Sequence, residues 1–143
     1  MQVKDVMTRD VEVVYPMNSL MEAAQKMRAL DIGMLPVFDG NFIVGMLTDR
    51  DITVRATAEG LDPKTTSVQE AMSPEVVHAY EDEDIDDAAQ KMSDRQLRRL
   101  IVLDRNRKLA GIVSIGDLAI DSHDAKLTGK TLEKISFPGR NPH

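Results

Sequence analysis

Two stretches of this chain, residues 45–51 and 111–117, each place a glycine, two apolar residues, a hydroxyl residue and an aspartate at one spacing. A hydroxyl at the start of a helix can donate to a phosphate or ribose oxygen, and a carboxylate one turn later can accept from ribose hydroxyls. The same spacing is that of a helix-capping box, so both interpretations stay open. Recurrence of the pattern favours a ligand site. The residues concerned are Thr48, Asp51, Ser114 and Asp117.

The two stretches belong to an internal repeat. The run Ala23–Met27 recurs unchanged 65 residues later as Ala88–Met92, and Val3–Met7 falls on Val68–Met72 at the same offset. Self-similarity at a fixed period indicates repeated structural units. The chain therefore consists of two copies of a unit of roughly 55 residues.

Each copy predicts the element order β–α–β–β–α. Ser19 followed by Glu22 is a capping box, the apolar residues after it have helical spacing, and Asp39-Gly40-Asn41 is a hairpin turn signal. In the first copy we expect a strand at 11–15, a helix at 19–30, strands at 34–38 and 42–47 and a helix at 49–58. In the second copy we expect helices at 85–93 and 116–120 and strands at 100–103 and 109–113.

The predicted fold class is α/β (α+β), a tandem pair of such units. A small sheet with helices on one side leaves apolar surface uncovered, so pairing two units buries more. We therefore expect pseudo-twofold symmetry with two related clefts. The predicted boundaries are a first domain at 1–58, a linker at 59–67, a second domain at 68–121 and a tail at 122–143, whose end from Phe137 frays or packs on a partner.

Composition narrows the function classes. The 143 residues carry a net charge of −6 and no cysteine, which excludes disulfides and Cys-ligated metals and disfavours binding to a phosphate backbone. His78, His123 and His143 share no ligand spacing, so no metal site is expected. Without a secretory signal or a long apolar run we expect a cytoplasmic protein that binds no membrane. No nucleophile and base are paired, so we expect no enzyme.

The repeat resembles the CBS domain, whose hallmark is Gly-apolar-apolar-Thr/Ser-x-x-Asp after an apolar-Pro-Val strand. The resemblance covers residues 1–121 and implies a CBS pair, or Bateman module, of the stand-alone type. It implies a regulatory, energy-sensing homodimer without a catalytic cofactor. Its ligand would be an adenosine nucleotide (AMP, ADP or ATP), or a related adenosyl compound such as S-adenosylmethionine or NAD, bound in the cleft between the units.

The resemblance also implies roles for individual residues. The hydroxyls of Thr48 and Ser114 would meet ribose or phosphate, and the carboxylates of Asp51 and Asp117 would meet ribose hydroxyls. The adenine would lie near Val13, Pro36, His78 and Ile101, and the phosphate near Arg98 and Arg99. The first copy has Gly33-Met34 in place of the two arginines, so we expect two non-equivalent clefts.

Two other function classes stay open. The first is a structural or regulatory interaction protein, with an unidentified protein partner, whose CBS sites bind nothing. The second is a nucleic-acid-associated regulator that uses the basic residues between 95 and 108. Single-stranded nucleic acid calls for aromatic platforms beside the basic residues. No aromatic residue lies between 81 and 136, which weakens the second alternative.

Overall fold

A computed structural model describes residues 1–138 and divides them into two compact units. Unit I comprises Glu12–Val76. Unit II comprises Met1–Val11 together with the chain from Val77 onward. Each unit has its own cluster of buried apolar side chains.

Helices and strands alternate in both units as the repeat predicts. Unit I contains α1 (Leu20–Leu30), β1 (Met34–Phe38), β2 (Ile43–Thr48), a single turn α2 (Asp49–Asp51) that continues as a π-helical segment (Ile52–Thr57), and α3 (Val68–Ala71). Unit II contains a 3-10 turn (Val3–Asp5), β3 (His78–Tyr80), α4 (Ile85–Arg95), β4 (Arg99–Leu103), β5 (Leu109–Ser114), α5 (Ile115–Asp121) and α6 (Ala125–Ser136).

Helix α1 of unit I and the matching helix α4 of unit II each begin at a side-chain cap. The Ser19 hydroxyl accepts a hydrogen bond of 3.0 Å from the Glu22 amide, which confirms the predicted capping box. The Asp84 carboxylate accepts one of 2.9 Å from the Asp86 amide. A side-chain oxygen at this position satisfies an amide that the helix itself leaves without a partner. Both helices end at a residue in the left-handed region, Asp31 in α1 and Gln96 in α4.

Both predicted hairpins are confirmed. Strands β1 and β2 pair antiparallel, as do β4 and β5. In the first turn, the Asp39 carboxylate accepts hydrogen bonds of 2.8 Å from the amides of Phe42 and Asn41. These two bonds hold the pKa of Asp39 below its usual value. Gly40 supplies the positive φ of 107° that the turn requires.

The predicted strand at 11–15 does not form, because Pro36 removes one amide donor of the ladder and Pro16, at the position of Glu81 in the second copy, removes another. In unit II, β3 pairs parallel to β4 over three residues. In unit I, the same region makes one bridge, in which the Val14 amide donates to the Pro36 carbonyl and the Phe38 amide donates to the Val14 carbonyl. Proline has no amide hydrogen, whereas Ile101 at the matching position of β4 has one. The ladder is therefore shorter in the first copy.

The opening segment of each copy packs in the unit formed by the other copy. The Val3 amide donates to the Glu83 carbonyl in unit II, and the Val68 amide donates to the Asn18 carbonyl in unit I. Both valine side chains are completely buried. Sequence analysis did not predict this exchange.

The chain after Asp121 is helical, which the sequence analysis did not predict. Asp124 caps the N-terminus of helix α6, because its carboxylate accepts a 3.0 Å hydrogen bond from the Leu127 amide. The helix packs on α4 and α5 and buries Thr131 and Ile135. Phe137 is exposed. The remainder of the predicted frayed end, residues 139–143, lies outside the described residues.

The β4–β5 turn is held to the end of β3 by Arg105. Its guanidinium forms an ion pair of 2.8 Å with Asp82 and lies 4.1 Å from the centroid of the Tyr80 ring. Hydrogen bonds from this guanidinium, and its charge, hold the pKa of Asp82 below its usual value. Arg105 of the β4–β5 turn is thus already paired within unit II.

Substitution Arg105→Gln is expected to return the pKa of Asp82 upward toward its usual value. A carboxyl whose pKa is depressed in the folded state stabilises that state above the unfolded pKa, and the contribution is lost as the pH falls through the folded pKa. A carbon-detected NMR titration of Asp82 measures the shift. Arg107→Gln, in the same turn, is the control and should leave the Asp82 titration unchanged; equal titrations in all three proteins would contradict the ion pair.

Candidate functional site

The structure places each hydroxyl residue of the repeated pattern at the junction between a strand and a helix. Thr48 ends β2 and Ser114 ends β5, both with extended backbone angles, and the helices start at the next residue. Each Thr or Ser oxygen accepts a 3.0 Å hydrogen bond from the amide of the aspartate, Asp51 or Asp117. In return, the Oδ2 atom of each aspartate accepts a 2.9 Å bond from the amide of the hydroxyl residue.

The capping-box interpretation of the sequence is therefore confirmed in both copies. Capping uses only one carboxylate oxygen of each aspartate. The Oδ1 atom of Asp51 lies 3.7 Å from Nε of Arg55. Within residues 1–138, the Oδ1 atom of Asp117 has no hydrogen bond or ion pair. Both aspartates are only partly buried, so the second carboxylate oxygen of Asp117 is left to accept hydrogen bonds from a ligand, whereas that of Asp51 is shared with Arg55.

Strand register brings the arginines of the second copy to its junction. Arg99 lies opposite Ser114 in the β4–β5 ladder, and the Ile115 amide donates a 2.9 Å hydrogen bond to the Arg98 carbonyl. Both arginines are exposed. Arg98, Arg99 and Asp117 thus lie at one end of the hairpin, where two arginines outweigh one aspartate in charge.

The matching junction of the first copy lacks the two arginines. Buried Met34 lies opposite Thr48, and Gly33 takes the place of an arginine. A Cβ atom at Gly33 would lie 2.8 Å from Oδ2 of Asp49, so the acidic side chain occupies the space beside this glycine. Asp49 and Asp51 are balanced in formal charge by Arg50 and Arg55, so this junction has no excess of positive charge.

The residues expected near an adenine lie on the paired strands or beside them. His78 pairs with Ile101 in the β3–β4 ladder, and the Ile101 side chain is completely buried. The His78 ring packs edge-on against Tyr80 at 5.2 Å between centroids. In unit I, Pro36 is buried, and its carbonyl accepts from the residue that follows Val13.

Two lysines that the sequence analysis passed over hold these segments in place. Lys26 Nζ donates a 2.8 Å hydrogen bond to the Val13 carbonyl, and Lys91 Nζ donates a 3.0 Å bond to the His78 carbonyl. Lys91 also forms an ion pair with Glu83. The signal was present in the sequence, because both lysines belong to the run Ala-Ala-Gln-Lys-Met that the copies share.

Among residues 1–138, no cluster of three or more His, Cys, Asp or Glu side chains could hold a metal ion. In that same part of the chain, no helix combines the length and the apolar character that crossing a membrane requires.

Comparison with known families identifies the repeat. The CBS domain pattern matches residues 3–56 and again residues 68–122. The chain belongs to the CBS domain family. Each match includes one of the two hydroxyl–aspartate junctions, so these junctions are features of two complete CBS domains.

Relatives of similar length support this assignment. The chain is 42% identical over 134 residues to the CBS domain-containing protein YhcV of Bacillus subtilis, and the match covers 94% of both chains. It is 38% identical over 117 residues to Hypoxic response protein 1 of Mycobacterium tuberculosis, with 81% of each chain covered.

Solved CBS structures share the fold. A crystal structure of Hypoxic Response Protein I with two coordinated zinc ions superposes with a TM-score of 0.75 at 35% identity, over 83% of this chain and 97% of that one. The CBS domain pair of protein MJ0100, in complex with 5′-methylthioadenosine and S-adenosyl-L-methionine, gives 0.75 at 32% identity, over 83% and 93%. CBSX2 in complex with AMP gives 0.72 at 30% identity, over 82% and 93%.

Proposed function

We propose that this CBS domain pair is a regulatory protein, not an enzyme, that binds adenosyl ligands at its two hydroxyl–aspartate junctions. The observation that carries the proposal is the identical geometry of the two junctions, each of which leaves one aspartate oxygen at a partly buried position. Homologous CBS pairs crystallise with AMP, S-adenosyl-L-methionine and 5′-methylthioadenosine, which supports the adenosyl class.

In this proposal each side chain has a defined task. The second carboxylate oxygen of Asp117, or that of Asp51 beside Arg55, accepts hydrogen bonds from the two ribose hydroxyls, as the acidic residue of a dinucleotide fold does. The hydroxyl of Thr48 or Ser114 donates its own hydrogen to a ribose or phosphate oxygen while its oxygen continues to accept from the helix amide. The adenine lies near the segments that contain Val13, Pro36, His78 and Ile101.

The two copies should prefer different adenosyl ligands, because their junctions differ in charged residues. Arg98 and Arg99 can form charge-assisted hydrogen bonds with a phosphate, so the second copy favours AMP and its phosphorylated relatives. The first junction has Gly33 and Met34 in place of these arginines, so that copy favours uncharged or cationic adenosyl compounds such as 5′-methylthioadenosine and S-adenosylmethionine.

The test is a calorimetric and thermal-shift titration of the whole chain with AMP, ADP, ATP, NAD, 5′-methylthioadenosine and S-adenosylmethionine. Ligand at a hundred times its Kd should add about 2.7 kcal/mol to the free energy of unfolding. Substitution Arg99→Ala should weaken AMP binding about 10- to 100-fold, because hydrogen bonds to charged groups contribute about 1.5–3 kcal/mol. It should leave 5′-methylthioadenosine binding unchanged.

Arg107→Ala is the matched control, because it removes the same charge from a turn of the same unit. It should alter neither affinity. If no adenosyl compound binds at millimolar concentration, the proposal fails, and the closed capping boxes then favour an interaction protein whose CBS sites bind nothing. Equal loss of AMP binding in both arginine variants would show that only overall charge matters.

A further inference from the structure

Gln96, the residue after helix α4, caps the C-terminus of helix α6. Its side chain is 3% exposed, and Nε2 donates hydrogen bonds of 3.1 Å to the Lys134 carbonyl and 2.6 Å to the Phe137 carbonyl. The last carbonyls of a helix have no partner within the helix itself. A single side-chain amide at the end of α4 thus supplies donors to the end of α6.

The matching residue of unit I cannot make this contact. Asp31 ends α1 in the same left-handed conformation, with a φ of 54° against 51° for Gln96. Asp31 is exposed, and an ionised carboxylate only accepts hydrogen bonds. A positive φ is uncommon for glutamine and more common for aspartate. Glutamine at position 96 is therefore explained by the reach of its amide to α6 and not by the backbone conformation at the end of α4.

Gln96 also begins the corner that carries the arginines of the second junction. Leu97 packs, partly buried, against the apolar cluster of unit II, and Arg98 and Arg99 follow directly. Arg99 then lies opposite Ser114 in the β4–β5 ladder. Because only one residue separates Gln96 from Arg98, a displacement of Gln96 displaces the backbone from which both arginines extend.

Helix α6 supports the other side of the same junction as well. It packs on α5, the helix that begins after Ser114 and carries Asp117. Leu118, the residue after Asp117, is fully buried and belongs to the same apolar cluster as Ile135 of α6. The arginines and the aspartate of the second junction therefore lie on two segments, each of which contacts α6.

The contacts that hold α6 are few. Thr131 and Ile135 are its buried residues. The Oε1 atom of Gln96 is buried and, within residues 1–138, accepts no hydrogen bond. A buried polar atom without a partner costs free energy, which offsets part of what the two Nε2 bonds contribute. A helix held in this way undocks more readily than the core of the unit unfolds, so an event at the junction can shift its docking.

We propose that α6 is a regulatory helix whose docking and AMP binding at the second junction favour each other. Gln96 is the positioning residue, because it contacts α6 and fixes the corner from which Arg98 and Arg99 reach the phosphate. A coupling free energy is reciprocal, so docked α6 strengthens AMP binding and bound AMP holds α6 in place. This coupling rests on the proposed function, since it takes the second junction as the AMP site.

Hydrogen–deuterium exchange of the full chain measures the effect of AMP on α6. Saturating AMP should slow exchange of the backbone amides of α6 by about 5-fold or more, the lower end of typical coupling between sites. Saturating adenosine has no phosphate for the arginines to bind, so it should leave the exchange of these amides unchanged.

Substitution Gln96→Met measures the effect of α6 on AMP. Methionine has the same chain length and no charge, but it donates no hydrogen bond to the α6 carbonyls. By calorimetry, AMP affinity should fall about 5- to 20-fold while adenosine affinity keeps its wild-type value. The ratio of the two affinities therefore falls, whereas a loss of stability alone leaves this ratio unchanged.

Asp84→Ala is the matched control, because it removes the cap at the opposite end of α4. It should lower the melting temperature without changing the ratio of AMP to adenosine affinity. Either a wild-type ratio in Gln96→Met or α6 exchange that AMP does not slow overturns the coupling and leaves the proposed AMP site standing. The same change of ratio in Asp84→Ala overturns it too. If the wild-type chain binds no AMP, the proposed function fails together with the coupling.

Discussion

Substitution Gly111→Ala is expected to lower the melting temperature by about 2–12 °C, although the new methyl group is the smallest possible addition. A Cβ atom at this position would lie 2.4 Å from the Thr8 carbonyl oxygen and 3.1 Å from the sulfur of Met7. The backbone of the exchanged N-terminal segment must move to make room. Overpacking of this kind costs about 1–3 kcal/mol, and each kcal/mol shifts the melting temperature of a chain of this size by about 2–4 °C.

Gly129→Ala is the control, because nothing lies within 4 Å of a Cβ at that position of α6. Alanine in place of glycine inside a helix stabilises it by about 0.5–1 kcal/mol, so this variant should melt slightly higher. Differential scanning calorimetry measures the melting temperatures of both variants and of the wild type. If Gly111→Ala melts like the wild type, the N-terminal segment does not dock beside β5 as the structure has it.

This result would give the leading glycine of the repeated pattern a structural explanation. The Thr8 and Ile112 amides donate to each other's carbonyls at 2.8 and 3.0 Å, and Met46 and Ser73 do the same in unit I. A Cβ at Gly45 would lie 2.7 Å from the Ser73 carbonyl oxygen. Glycine at the head of the pattern therefore allows the exchanged segment to pair with the strand, independently of any ligand.

Local signals made most of the fold predictable from the sequence. The Ser19 capping box and the Asp39-Gly40-Asn41 turn act over three or four residues, so the sequence itself contains both partners of each hydrogen bond. The helix and hairpin that they predict are both confirmed. The same holds for the matching helix and hairpin of the second copy, and hence for the fold class.

The features that sequence analysis missed depend on contacts between distant residues. Val3 and Val68 were matched as repeat positions, but nothing local indicates that each packs in the unit formed by the other copy. Helix α6 has few apolar residues, and its docking depends on Gln96, which lies 38 residues before Lys134. The predicted strand at 11–15 failed because two prolines, one on the neighbouring strand and one just after the segment, each removed a donor.

The sequence predicted where the candidate site lies. It left open whether the residues there cap a helix or bind a ligand. The spacing of Ser114 and Asp117 places the two side chains together whether they cap a helix or hold a ligand, and the structure shows the cap. The pairing of Arg99 with Ser114 follows from hairpin register, which the turn residues determine. Whether a ligand also binds at the free oxygen of Asp117 requires variants that separate the two roles.

Substitution Asp117→Asn is expected to separate the capping role of Asp117 from its ligand-binding role. We expect a loss of AMP affinity of about 10- to 100-fold and an almost unchanged melting temperature. The asparagine oxygen can still accept the hydrogen bond from the Ser114 amide, so the cap persists. The negative charge that strengthens hydrogen bonds from ribose hydroxyls is lost, and such charged hydrogen bonds contribute about 1.5–3 kcal/mol. Isothermal titration with AMP measures the affinity.

Two further variants complete the test. Asp117→Ala should lose AMP affinity and also the cap, which costs about 1 kcal/mol, or about 2–4 °C in melting temperature. Asp51→Asn changes the same group at the junction of the first copy, which lacks the two arginines of the second, and should leave AMP affinity unchanged. If Asp117→Asn binds AMP like the wild type while Asp117→Ala is merely less stable, Asp117 is a helix cap and nothing more. The hydroxyl–aspartate pattern would then be explained by folding alone.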